Sequence, residues 1–117
     1  MTEQTGSELK GKVAIVTGAG RMRGIGRGTA TVLARMGAHV VVTGTGRDTA
    51  SYPQDEKDAG WRDIRSTAEQ IEAFGVRALP LVSNVADQDD VQKMIDATVA
   101  EFGRLDIIVN NAAAPYG

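Results

Sequence analysis

Val13-Ala14-Ile15-Val16-Thr17-Gly18-Ala19-Gly20-Arg21-Met22-Arg23-Gly24-Ile25-Gly26 is the stretch whose reading decides the fold. Residues 13–17 are apolar and rich in β-branched side chains, and Gly11 and Gly18 bound them. Such a run reads as a strand buried on both faces. Past the glycines, Ile25, Val32, Leu33 and Met36 recur at helical spacing, with Ala30 and Ala34 nearby, and Gly37 follows at the C′ position. That pattern predicts a helix with one apolar stripe. The cluster therefore joins a strand to a helix N-terminus, where unpaired N–H groups and a partial positive charge favour an anion. At such a junction Gly18 is expected to make the tight turn. Gly24 is expected to bring bare backbone to a pyrophosphate, and Gly26 to let helix and strand pack closely. The plainer alternative is a tight turn with no ligand.

Outward from this unit the same alternation repeats. Residues 39–43 form a second buried strand. Residues 44–60 hold Gly44, Gly46, Pro53 and Gly60 among charged side chains without periodicity, and are expected to form a long loop. Trp61, Ile64, Ala68 and Ile71 mark a helix closed by Gly75. A third strand is predicted over 76–82, with Pro80 pointing to an edge position. Asp87 is a good N-cap for a helix carrying Val91, Met94, Ile95, Thr98, Val99 and Phe102, stopped by Gly103. A fourth strand covers 105–109. The order β-α-β-α-β-α-β, with continuous apolar strands, predicts an α/β, doubly wound parallel sheet. Residues 1–11 are polar and read as a loose arm, and 12–117 as one region without repeats.

Composition narrows the function. The 117 residues carry 13 basic and 15 acidic side chains, a formal charge of −2, and 42% are hydrophobic. Such a balance gives no electrostatic footprint for nucleic acid or an anionic membrane. The chain has no cysteine and one histidine. A disulfide scaffold, a thiolate metal site, a cysteine nucleophile and a histidine-rich metal cluster are all excluded. No apolar run approaches a membrane span, so a cytoplasmic protein is expected. Bland readings serve for His39 as a structural residue, for Asp87, Asp89 and Asp90 as a helix first turn, and for Trp61 and Phe102 as core positions of their helices. The glycine loop lacks a Gly-Lys-Ser/Thr ending, which argues against a P-loop NTPase.

Thr17-Gly18, Gly24-Ile25-Gly26, Asn84-Val85 and Asn110-Asn111-Ala112 together resemble the N-terminal half of the short-chain dehydrogenases/reductases, over about residue 10 to the end. The resemblance implies a Rossmann-like fold and hydride transfer between NAD(P) and an alcohol or carbonyl, in a protein expected to be homo-oligomeric when intact. It departs in the glycine loop, where five residues, 19–23, replace the family's three, so that either Gly18 or Gly20 could face the phosphates. Ala113 stands where the family's Asn-Asn-Ala-Gly motif has glycine, and Asn84 where Asp is usual. Asn84 and Val85 are expected against the adenine, and Asn110 and Ala112 beside the adenosine ribose. After the second strand the chain reads Thr43-Gly44-Thr45-Gly46-Arg47, with no acid before Asp48. An acid there would accept from a ribose 2′-hydroxyl and repel a 2′-phosphate. Its absence, with Thr45 at the site and Arg23 and Arg47 as phosphate partners, favours NADP over NAD.

The family's chemistry uses a tyrosine four residues before a lysine. Tyr52 is followed at that spacing by Glu56, with Lys57 one too far, and Tyr116 is penultimate. No catalytic residue and no metal ligand is therefore expected within these residues. The chain is expected to be the cofactor-binding half of an oxidoreductase and to be inactive alone. A non-catalytic dinucleotide-binding module is the alternative. An S-adenosylmethionine domain is weaker still, because the acid it wants after strand two is missing.

Overall fold

A computed structural model describes residues 7–112. The elements run β1 (Val13–Val16), α1 (Ile25–Arg35), β2 (His39–Gly44), a 3₁₀ turn (Thr49–Ser51), α2 (Gln54–Ala59), α3 (Ile64–Glu72), β3 (Ala78–Val82), α4 (Gln88–Phe102) and β4 (Ile107–Val109). The four strands form one sheet in the order β3-β2-β1-β4, every pairing parallel, with Val16 opposite both Val42 and Val109. β3, which carries Pro80, lies at an edge of the described sheet, as its proline predicts.

Alternation along the strands divides the core. Val16, Val40 and Val42 face Ala30 and Ala34 of α1 and Ile64, Ala68 and Ile71 of α3. Ile15 and Val41 turn to the other side, against Met94 of α4 with Leu79 and Leu81. Helices on both faces explain why β1 is buried along its whole length. Asp87 caps α4 as expected, accepting from the N–H groups of Asp89 and Asp90. Ahead of β4, Asp106 N–H donates to Val13 O (2.9 Å), and Asp106 Oδ2 accepts from Val13 N–H (2.9 Å). Arg104 grips the same carboxylate with two bonds of 2.8 Å. The Arg104 bonds first, then the Val13 N–H, hold Asp106 down at a pKa of about 2.

Several expectations are corrected. Residues 7–11 are not a loose arm: Leu9 packs on the core, and its N–H donates to Met36 O (2.9 Å). Residues 44–60 are not one loop. Asp48 caps the 3₁₀ turn, and Pro53 starts α2, which ends at left-handed Gly60. α2 lacks an apolar stripe, and its one buried residue is Glu56, so hydrophobic periodicity could not find it. α1 buries Gly26, Ala30 and Ala34, while Ile25 and Val32 are 79% and 50% exposed. Val99 of α4 is likewise exposed. Trp61 precedes α3 instead of belonging to its face. His39 is structural, stacked on Phe102 at 5.6 Å.

Candidate functional site

The C-terminal end of β1 is tied to the segment after β4. The Thr17 hydroxyl donates to Asn110 Oδ1 (3.3 Å) and accepts from Ala112 N–H (3.0 Å). Gly18 then turns with φ 67°, and a Cβ there would stand 3.0 Å from Ala112 Cα, so a glycine is required on both counts. Asn111 Nδ2 donates to the Gly18 carbonyl (3.0 Å). Gly26, at the start of α1, lies against that same carbonyl. A Cβ on Gly26 would collide with the Gly18 oxygen and stand 2.8 Å from Asn111 Nδ2.

The longer part of the loop is held by the region between β2 and α3. Ala19 N–H donates to Thr43 O (2.9 Å), and the Thr67 hydroxyl donates to Ala19 O (2.7 Å). Gly20 O accepts from Trp61 Nε1 (2.6 Å), and Met22 N–H donates to Glu56 Oε2 (2.7 Å). Between these points lies Arg47, whose side chain is 13% exposed. Its Nε and Nη2 donate to Asp63 Oδ1 at 3.0 and 2.7 Å. Its Nη1 stands 3.0 Å from Glu56 Oε1, an ion pair without hydrogen-bond alignment. Burial works to lower the Arg47 pKa, but its interactions with the carboxylates of Glu56 and Asp63 outweigh it and the net shift is upward. The guanidinium lies 4.5 Å over the Tyr52 ring. Burial, reinforced by the Asp63 charge, raises the Tyr52 phenol. Asp63 has φ 60° and ψ −135° and is the only non-glycine with positive φ among the described residues. Strain of that kind is worth about 1–3 kcal/mol and persists where surroundings enforce it.

These pieces surround a cavity of about 800 Å³ at the C-terminal ends of the strands, the size of a ligand pocket and the place open α/β sheets use for one. Of the residues expected there, Gly18, Gly24, Ile25, Thr45, Arg47, Asn84, Val85 and Ala112 line it. Both Gly18 and Gly20 reach it, although Gly20 backs onto Asp63: a Cβ on Gly20 would stand 2.8 Å from that carboxyl carbon. Gly26 acts behind the wall. Asn110 faces Thr17 instead of the cavity. Arg23 is largely exposed and paired with Asp55 on α2 (2.5 Å), an element the sequence did not reveal. Asn84 Oδ1 accepts from Ala86 N–H (3.0 Å), making a turn as well as a wall. The lining also includes Asp63 and Ser83, which sequence reasoning did not single out, and Thr43, Gly44 and Asn111 of the motifs at the ends of β2 and β4. Ser83 is 5% exposed, and its buried hydroxyl has no hydrogen-bond partner within the protein. No metal-holding group of side chains occurs among the described residues, and no helix there is long and apolar enough to cross a membrane. Ala113 and Tyr116 lie outside the described residues.

A parallel sheet in this order, opening on a glycine loop between its first strand and helix, is a Rossmann-like α/β fold. The chain belongs to the short chain dehydrogenase family, whose model matches residues 12–116. It is 45% identical over 114 residues to the short chain dehydrogenase/reductase astE of Aspergillus oryzae, covering 93% of this chain and 38% of that one. It is 44% identical over 101 residues to the L-rhamnose 1-dehydrogenase (NAD(P)(+)) of Azotobacter vinelandii, covering 86% and 35%. A crystal structure of a short chain dehydrogenase from Mycobacterium paratuberculosis bound to NAD matches with TM-score 0.72 and 34% identity, over 92% of this chain and 40% of that one. The chain thus spans well under half the length of each.

Proposed function

We propose that this chain forms the dinucleotide-binding part of an oxidoreductase that moves a hydride between a nicotinamide cofactor and a small alcohol or carbonyl. The observation that carries the reading is the closed contact of Gly18, Gly26 and Asn111, which holds the glycine loop open onto the cavity. The cavity fits a dinucleotide. Gly18 and Gly24 offer bare backbone for a pyrophosphate at the α1 N-terminus, and Asn84 and Val85 a wall for adenine. The cofactor, when bound, supplies the hydride acceptor or donor. The residues of this chain bind and orient it. The NAD bound in the mycobacterial relative and the dinucleotide named for the rhamnose dehydrogenase support the same class.

No tyrosine of this sequence precedes a lysine by four residues, so we assign the accompanying proton transfer to groups of the full-length protein outside these residues. A homo-oligomeric, cytoplasmic parent is part of the same proposal and rests on the family resemblance and composition. Of the grounds for an NADP preference, Arg47 is committed to two buried carboxylates and the exposed Arg23 is paired with Asp55, while the absence of an acid directly after β2 stands. Gly24→Val tests the site in the full-length protein. A Cβ there already meets Arg21 Cβ and O at 3.3 Å, and a branched side chain would stand where the phosphates approach. Dinucleotide affinity measured by calorimetry should fall by at least about tenfold, about 1.4 kcal/mol, with circular dichroism unchanged. Unaltered affinity would move the pyrophosphate elsewhere.

A further inference from the structure

We propose that Asp63 selects the dinucleotide, accepting a hydrogen bond from the adenosine 2′-hydroxyl and excluding a 2′-phosphate, so that the protein prefers NAD. The proposal rests on the dinucleotide reading of the cavity. The sequence places no acid directly after β2, but the fold delivers one from the start of α3. Asp63 Oδ2 lies 3.4 Å from where a Cβ on Gly44 would stand, and Gly44 is the last residue of β2. The residue is 7% exposed and lines the cavity together with Thr43, Gly44 and Thr45. Its Oδ1 takes both bonds from Arg47, which fixes the carboxylate and leaves Oδ2 as the oxygen on the Gly44 side.

Charge points the same way. Arg47 is flanked by Glu56 and Asp63 at 3.0 and 2.7 Å, so one cation faces two anions and the buried cluster is net negative. Turning Arg47 toward a phosphate would strand two buried carboxylates. Arg21 is the other cation of the lining, and it belongs to the glycine loop, its carbonyl accepting from Gly24 N–H (3.1 Å). That places it on the pyrophosphate side. A hydroxyl can donate to Asp63, whereas a 2′-phosphate brings further negative charge and no donor at physiological pH.

The test is calorimetric titration of the full-length protein with NAD, NADP and 2′-deoxy-NAD, repeated on Asp63→Asn. Wild-type protein should bind NAD at least about tenfold more tightly than NADP, and lose about tenfold with 2′-deoxy-NAD, the scale of one charge-assisted hydrogen bond. Asp63→Asn should narrow the NAD-to-NADP ratio by at least about tenfold. Should Asp63→Asn fail to fold, the 2′-deoxy comparison on wild-type protein still decides the hydroxyl contact. NADP binding as well as NAD, full affinity for 2′-deoxy-NAD, or a ratio unmoved in a folded Asp63→Asn would each overturn the proposal. Binding of neither NAD nor NADP would instead overturn the dinucleotide reading, and the selection with it.

Discussion

Two glycines in one helix, two residues apart, should respond to the same substitution with opposite sign. Gly26 and Gly28 both lie in α1, where alanine is intrinsically preferred over glycine by about 0.5–1 kcal/mol. At Gly28 an added Cβ meets nothing within 4 Å, so Gly28→Ala should gain most of that amount. At Gly26 the Cβ collides with the Gly18 carbonyl oxygen, a backbone atom at a turn with φ 67°, and crowds Asn111 Nδ2 at 2.8 Å. Overpacking of this kind costs about 1–3 kcal/mol, and loss of the Asn111 bond to Gly18 adds about 1 kcal/mol. After the propensity gain, Gly26→Ala should destabilise by about 1–3 kcal/mol, leaving the two variants about 2–4 kcal/mol apart. Urea unfolding of the full-length protein, followed by circular dichroism, measures that difference directly. Equal midpoints for the two variants would refute the close approach of α1 to the glycine loop. The closed contact of Gly18, Gly26 and Asn111 on which the proposed function rests would go with it.

Two further outcomes follow from charge. Arg47→Ala should destabilise by about 3–5 kcal/mol in urea unfolding, because it leaves Glu56 and Asp63 buried without their cation; a loss below about 1 kcal/mol would show that water reaches them. Asp106 is held at about 2, below its unfolded value near 4, so its contribution is complete above about pH 4 and is lost as the pH falls toward 2. Asp106→Asn should therefore flatten the acid-unfolding curve across that window and leave its slope above pH 5 unchanged.

The strands and caps were legible because their causes are local. Val13, Ile15, Val40 and Val41 announce burial by type and continuity, and Asp87 and Gly103 mark the ends of α4 by their own side chain and backbone. The face of α1 was misread because periodicity gives weight to large side chains. Its contact with the sheet runs through Gly26, Ala30 and Ala34, small residues that let the helix lie close, while Ile25 and Val32 remain outside. α2 was invisible for a related reason, having no apolar stripe at all. In the site, the glycines could be found from their place at a strand-to-helix junction, and Asn84 from the family resemblance. Asp63 could not, since its nearness to Gly44 depends on the path of residues 45–62 and on no signal in its own neighbourhood.

That path also explains why the arginines misled. Residues 19–23 make the glycine loop long, and a long loop near a sheet carries backbone groups that must find partners. Gly20 O and Met22 N–H find theirs in Trp61 and Glu56, both from the segment between β2 and α3. Glu56, once buried to reach Met22, requires a cation, and Arg47 supplies it while closing on Asp63. Arg23, at the far end of the loop, is drawn to Asp55 on the same helix. The extra loop residues and the α2 segment thus satisfy each other, and the positive charges a sequence reader would offer to a ligand are used in joining them. On the proposed reading a dinucleotide would meet the carboxylate edge of Asp63 at its ribose, and the bare glycine backbone with Arg21 at its pyrophosphate.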